Sequence, residues 1–416
     1  MQALPAGDAR NWNKQASIHQ NFCPHGNWFF LPWHRGYLLS FERIIRKLTG
    51  VADFALPYWN WSCNRAIPAP FWQAGSPLNH SPRWIGPSDQ ADASIVGPAN
   101  IAAILNETDF ELFASGFATA LRGAGGSTGR LEGGPHNYIH GSFVGGTMAS
   151  YMSPLDPIFW LHHNILDYLW LEWNSRGNAN SNDPVYTGMQ ISGQFCDENG
   201  APIEYNVGAM ILAPLISYRF EAPHACPKLA TKVDEAVLKK FLQQGARVRL
   251  QTTRAFPPAA QEVQLGGARA PRVQLSLAAE AARIGFDEKS PQRVLLRLDD
   301  VKQPVDENFY VRVFVGLPEG TDPSPDSPYY AGAFAFFADQ GHHEGVGSTF
   351  LVDVSPTLAR LRAEGRIQGD GNVPITLVTV PNAGKPRLAA AQIPPLSIGA
   401  VTPVLIPRMP KPQPLK

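Results

Sequence analysis

Charge is scarce in this chain of 416 residues: Asp, Glu, Lys and Arg make up 17% of it, and 35 basic residues cancel 35 acidic ones. A zero balance exerts no long-range pull on polyanions, which sets aside nucleic acid and anionic membrane surfaces as partners. No apolar run reaches the roughly 18 residues that a membrane span requires. Residues 1–8 carry neither the basic start nor the apolar stretch of a secretory leader, which favours the cytoplasm unless a leader precedes this chain. The four cysteines, Cys23, Cys63, Cys196 and Cys226, include no C-x-x-C pair. They are too few for a disulfide framework and wrongly spaced for a zinc ribbon, so Cys63 and Cys226 are expected to be small buried hydrophobes. The helical pair His136 and His140 also lacks the glutamate of H-E-x-x-H. Asn137 stands there and cannot take a proton, which argues against a zinc hydrolase of that kind.

What the chain does have is divided unevenly along its length. All 10 tryptophans fall within the first 173 residues. Residues 34–48 have apolar positions at helical spacing with Gly50 as a stop signal, and residues 161–173 and 132–141 read the same way. Residues 106–120 are expected to form a further helix, capped by Thr108 ahead of Glu111. Pro- and Gly-rich loops such as residues 64–98 separate them, so residues 1–225 read as a mainly α helix bundle. Residues 226–246 read as a linker with one helix (232–244) and a possible processing site. Short β-branched runs follow at 248–252, 272–277, 293–298, 310–315, 349–354 and 375–380, so residues 247–408 are expected to be an all-β sandwich. Residues 409–416 are a Pro-rich tail.

Six histidines form two sets of three about a hundred residues apart: His19, His25 and His34, then His136, His140 and His163. Three neutral imidazoles suit a transition metal that keeps a position open for a small ligand, and two such sets suggest a metal pair. His136 and His140 are four residues apart and share a helix face. The adjacent His162 and His163 diverge by about 100° on a helix, so only one is expected to face the same centre.

The surrounding residues resemble a known family. His25, Phe30, Trp33, His34, Arg35, Leu38 and Glu42 match H-x4-F-x-x-W-H-R-x-x-L-x-x-x-E, and Asp156, Pro157, Phe159, His163 and Asp167 match D-P-x-F-x-x-x-H-x-x-x-D. Both are signatures of the type-3 binuclear copper proteins: tyrosinases, catechol oxidases (polyphenol oxidases) and molluscan haemocyanins. The resemblance implies a four-helix core holding two copper ions on His19, His25, His34, His136, His140 and His163, with His162 as a neighbour and O2 as co-substrate. It implies oxidation of small phenolic substrates, o-diphenols to o-quinones, and in tyrosinases the monooxygenase step that hydroxylates monophenols. Glu132 and Asn137 match positions proposed to hold a water that takes the monophenol's proton, which makes a tyrosinase the expected subtype. Cys23-Pro-His25 resembles the arrangement in which a cysteine sulfur is bonded to an imidazole carbon.

Residues 310–381 resemble the C-terminal β-sandwich that shields the copper site in plant and some bacterial polyphenol oxidases, with residues 329–337 as the candidate covering loop. Asp167 is expected to steady Arg35 or another buried donor, and His342 and His343 to lie on the surface. Only 18 residues precede His19, fewer than the resemblance leads one to expect. Three rivals share the ligands: a strict catechol oxidase, an o-aminophenol oxidase and a haemocyanin-like O2 carrier.

Overall fold

The computed structural model describes residues 1–122, 126–216, 220, 250–266, 272–302, 309–337, 347–369, 371–381 and 395–409. The expected helix at 232–244, His342, His343 and the end of the tail lie outside the described residues.

Helix α1 (Trp12–Phe22) starts at Asn11, whose side chain accepts the amide of Asn13, and stops at Cys23, ahead of Pro24. Helix α2 (Phe30–Thr49) ends on Gly50 in the left-handed conformation, φ 72°, where a side chain would be strained. Helix α3 (Ile158–Ser175) is buried on nearly every side, as a central helix must be. Between α2 and α3 the chain winds through two π-helical segments, Glu132–His136 and Tyr138–Val144, where an α-helix was expected. Gly133 and Gly134 loosen this stretch and Pro135 lacks an N–H, so the wider turn forms, closed by Gly145 N donating to the His140 carbonyl at 3.0 Å.

Two further expectations fail. Within residues 106–120 only Phe110–Phe113 is helical. Asp109, not Thr108, caps it, and the Glu111 carboxylate accepts from Phe117 N at 2.8 Å and from Leu250 N instead of reaching back to close a capping box. Cys63 is exposed and disulfide-bonded rather than a buried hydrophobe, whereas Cys23 and Cys196 are free and buried.

A hairpin of β1 (Gln190–Cys196) and β2 (Pro202–Asn206), then α4 (Val207–Ile216), close the helical part. The second part is a sandwich of antiparallel sheets. One has the order β5 (Arg272–Leu277), β10 (Val373–Pro381), β7 (Phe309–Val315), β8 (Tyr330–Phe334). The other has β3 (Arg254–Ala255), β11 (Leu396–Pro407), β6 (Gln292–Lys302), β9 (Ser348–Asp353), with β4 (Ala260–Leu265) also on β11. Alternate residues such as Leu275 and Leu277 of β5 face one apolar core between the sheets. The twelve-residue β11, the longest strand, went unread because Gly399, Pro403 and Pro407 interrupt its pattern.

The sandwich is fastened to the helical part by polar contacts. Arg293 grips Glu107 with two bonds of 2.8 and 2.9 Å, Arg312 and the Tyr310 hydroxyl meet Asp92 at 2.7 and 2.5 Å, and Ala335 N donates to the Gly133 carbonyl at 2.8 Å. Among the described residues no helix is long and apolar enough to cross a membrane.

Candidate metal centre

Each long helical segment delivers histidine to one place. His19 comes from α1, His25 from the loop after it, His34 from α2, His136 and His140 from the π-helical stretch, and His162 and His163 from α3. The donor atoms of His19, Cys23, His25 and His34 lie within 4.8 Å of one another, as do those of His136, His140, His162 and His163. His25, Glu132 and His136 form a third such group that links the two. The rings of His34 and His163 stack at 4.1 Å and 10°, so the two sets share one centre.

Hydrogen bonds sort these nitrogens. His19 Nδ1 faces the Tyr151 carbonyl at 2.8 Å, His34 Nδ1 the Phe30 carbonyl at 2.8 Å, and His140 Nδ1 the Met148 carbonyl at 2.7 Å. A carbonyl oxygen only accepts, so Nδ1 carries the proton and Nε2 keeps its lone pair for a metal. His136 Nδ1 meets Asn137 Oδ1 at 2.8 Å with the same consequence. Burial, reinforced by neighbouring imidazoles, holds His19, His25, His136 and His163 well below the usual histidine range; for His34 and His140 burial lowers the value to about 3. All are therefore neutral ligands in waiting. The Nε2 atoms of His19 and His136 are buried with no hydrogen-bond partner among the described residues, and their lone pairs suit a cation.

The neighbours His162 and His163 both reach the centre, so divergence on a helix does not separate them as expected. Their bonding does. His162 Nδ1 accepts the Trp61 indole N–H at 3.1 Å, which leaves the proton of a neutral ring on Nε2. His163 Nε2 instead converges on His140 Nε2 at 3.1 Å.

Glu132 is fully buried; its carboxylate accepts from Gly26 N at 2.7 Å and from the Ser115 hydroxyl. Burial pushes it up to about 8, against the lowering effect of those two bonds. Asn137 is engaged elsewhere: Oδ1 holds His136, and Nδ2 donates to the Ala335 carbonyl of the sandwich at 3.0 Å. The two side chains expected to cradle one water thus have separate partners. Cys23 Sγ lies 3.5 Å from Nδ1 and 3.6 Å from Nε2 of His25, and 3.3 Å from Nε2 of His34.

Residues 9–103 and 71–176 match the family model for the common central domain of tyrosinase, and residues 251–393 match a domain of unknown function (DUF7868). Tyrosinase HcTyr1 of Hahella sp. (strain CCB-MM4) is 30% identical over 389 residues, spanning 82% of this chain and 76% of that protein. The chain belongs to the tyrosinase and polyphenol oxidase family. The chloroplastic polyphenol oxidase of Malus domestica is 25% identical over 94% of this chain and 73% of its own length. The solved structure of latent apple tyrosinase superimposes with a TM-score of 0.71 at 20% identity, covering 97% of this chain and 92% of that one, and shares its helical core and β domain. Proteins of this family carry a binuclear type-3 copper centre and oxidise phenols, and the two histidine groups described above suit that centre.

Of the contacts around the tyrosinase-family core, the expected one between Asp167 and Arg35 is present: Arg35 Nε donates to Asp167 at 2.7 Å and Nη1 to the Met210 carbonyl at 2.9 Å, tying α2 to α3 behind His34 and His163. The next was not singled out in the sequence. Arg83 grips Asp156, the first residue of the second signature, with bonds of 2.8 and 2.7 Å. Within the nine-residue candidate loop, β8 covers Tyr330–Phe334, and the three residues after it turn inward. The Phe337 ring lies 4.5 Å from His25, 4.8 Å from His140 and 5.1 Å from Tyr151, between the two histidine groups.

Proposed function

We propose that the protein oxidises o-diphenols to o-quinones with O2, that it also hydroxylates monophenols at the ortho position, and that its β-sandwich keeps both activities latent. Bound copper supplies the redox chemistry with O2; the chain's residues hold the ring, accept the proton and exclude water. The observation that carries the monophenol reading is the place of Glu132, a buried carboxyl grouped within 4.8 Å with the donor atoms of His25 and His136. A monophenol must shed a proton of pKa about 10 before its oxygen can act as a ligand, and Glu132, raised by burial to about 8, receives it in its ionised form, so the step is expected to quicken as pH rises toward that value. Asn137 serves the same step indirectly, by fixing the His136 ring.

Glu132→Gln keeps the shape and removes the acceptor. Monophenol hydroxylation is expected to fall about 10²- to 10³-fold while catechol oxidation and copper content change little. Equal losses on both substrates count for a purely structural carboxyl, and unchanged monophenol turnover counts for the strict catechol oxidase.

We further propose a thioether between Cys23 and His25. Its formation removes the thiol hydrogen and one ring C–H hydrogen, with O2 as the oxidant, and locks His25 in place. Copper loading in air is expected to lower the intact mass by two hydrogens and to abolish alkylation of Cys23 in the denatured protein; a fully alkylatable Cys23 excludes the bond. The disulfide at Cys63 supports folding in an oxidising compartment over the cytoplasm.

A further inference from the structure

Among the described residues Arg122 is a cation without an ion-pair partner at the edge of the metal centre. Its Nη1 donates to the carbonyls of Gln20 at 3.3 Å and Asn21 at 2.6 Å, in the last turn of α1. Among the described residues those partners are main-chain oxygens, not carboxylates. Its Nη2 is buried and has no hydrogen-bond partner among the described residues. Buried donors on a charged group rarely go unmatched, so an unmatched one beside a metal centre suits an anion.

The surroundings say what kind. The guanidinium lies 5.4 Å over the ring of Tyr151. That ring is 5.5 Å from His25, 5.7 Å from His19 and 5.1 Å from Phe337, so Tyr151 is a wall shared by Arg122 and the copper ligands. His25 is the one histidine of the centre that is partly exposed, and Asn21 and Phe22 just before it are exposed as well. The centre therefore meets solvent on the side where Arg122 stands. Phe337 shows that a six-membered ring packs between His25 and His140; a substrate ring lying there extends its side chain along Tyr151.

We propose that Arg122 is a specificity residue that binds the carboxylate of an aromatic acid, so that the preferred substrates are phenols bearing a short carboxylate arm. The proposal rests on the phenol-oxidising reading above. The competing role for Arg122, a brace for the last turn of α1, affects charged and neutral substrates alike.

The test uses full-length, copper-loaded protein carrying Phe337→Ala, which clears the ring's place. Dihydrocaffeate is expected to show a KM about 10- to 100-fold below that of its amide, the range of one charge-assisted contact. Adding Arg122→Met is expected to erase that preference by raising KM for the acid alone, with kcat little changed; Arg122→Lys restores part of it, and added salt weakens only the acid. Calorimetric titration with cinnamate and cinnamamide, which have no hydroxyl to oxidise, reads the same preference without turnover. An acid preference that is absent from the start, or that survives Arg122→Met because acid and amide weaken together or not at all, overturns the proposal. Should the protein bind cinnamate in preference to cinnamamide yet oxidise neither catechol, the anion site stands and the phenol-oxidising reading is what fails.

Discussion

Replacing Phe337 by alanine is expected to raise catechol oxidation by the intact chain about 10- to 100-fold. The ring is 4% exposed and packs on His25, His136, His140 and Tyr151. Burying a phenylalanine side chain is worth about 1.5–3 kcal/mol. Removing that from the closed arrangement enlarges the fraction of molecules open to substrate by the same factor that 1.5–3 kcal/mol represents in an equilibrium, provided the closed form dominates. The neighbouring Phe336 is the control. It points the other way, 5.7 Å from Phe309 and 5.9 Å from Phe350 in the sandwich core. Phe336→Ala is therefore expected to cost about 3–5 kcal/mol of stability, visible as a lower melting temperature, through cavity formation rather than through a vacated substrate place. A Phe337→Ala chain as slow as the wild type, in which limited proteolysis also releases no activity, removes the case for shielding.

The contacts that seat Phe337 also explain why the sequence located a covering loop but not the residue. Residues 329–337 are apolar and aromatic throughout, and nothing local separates Phe336 from Phe337. The choice is made by β8 pairing with β7, which sets the register, and by Ala335, whose N–H donates to the Gly133 carbonyl and whose carbonyl takes Asn137 Nδ2. Those partners lie some 200 residues away in the chain. Trp61, Tyr151 and Arg122 were missed for the same reason: each acts through a contact about 30 to 190 residues distant, and none sits in a periodic pattern. The histidines were legible because helical turns fix their spacing to other residues of the same signature, as between His34 and Glu42 or His163 and Asp167. The strands of the sandwich were legible wherever β-branched residues alternate, and β11 was lost where prolines interrupt the alternation. Asn137 was legible as a site residue, but not its bond to the Ala335 carbonyl, which belongs to the other part of the chain.

Removing the His163 imidazole is expected to cost one of two bound copper ions and more than 100-fold in catechol oxidation, whereas His162→Gln is expected to retain both ions with at most a 10- to 100-fold loss in metal affinity. The two rings are adjacent, buried and equally close to His136 and His140, so distance alone does not favour either. What distinguishes them is where each neutral ring keeps its proton. Trp61 Nε1 can only donate, so the His162 nitrogen it touches must accept, and the remaining nitrogen holds the hydrogen and has no lone pair for a metal. His163 Nδ1 is buried without a protein partner, and its Nε2 faces that of His140, whose own Nδ1 is committed to the Met148 carbonyl. Trp61→Phe removes the indole donor and frees His162 to move its proton to Nδ1, so a His163→Ala, Trp61→Phe chain is expected to recover part of the second copper that His163→Ala alone has lost. Copper measured per chain after dialysis decides it: full occupancy in His163→Ala, or an equal deficit in His162→Gln, means that the tautomer does not choose the ligand.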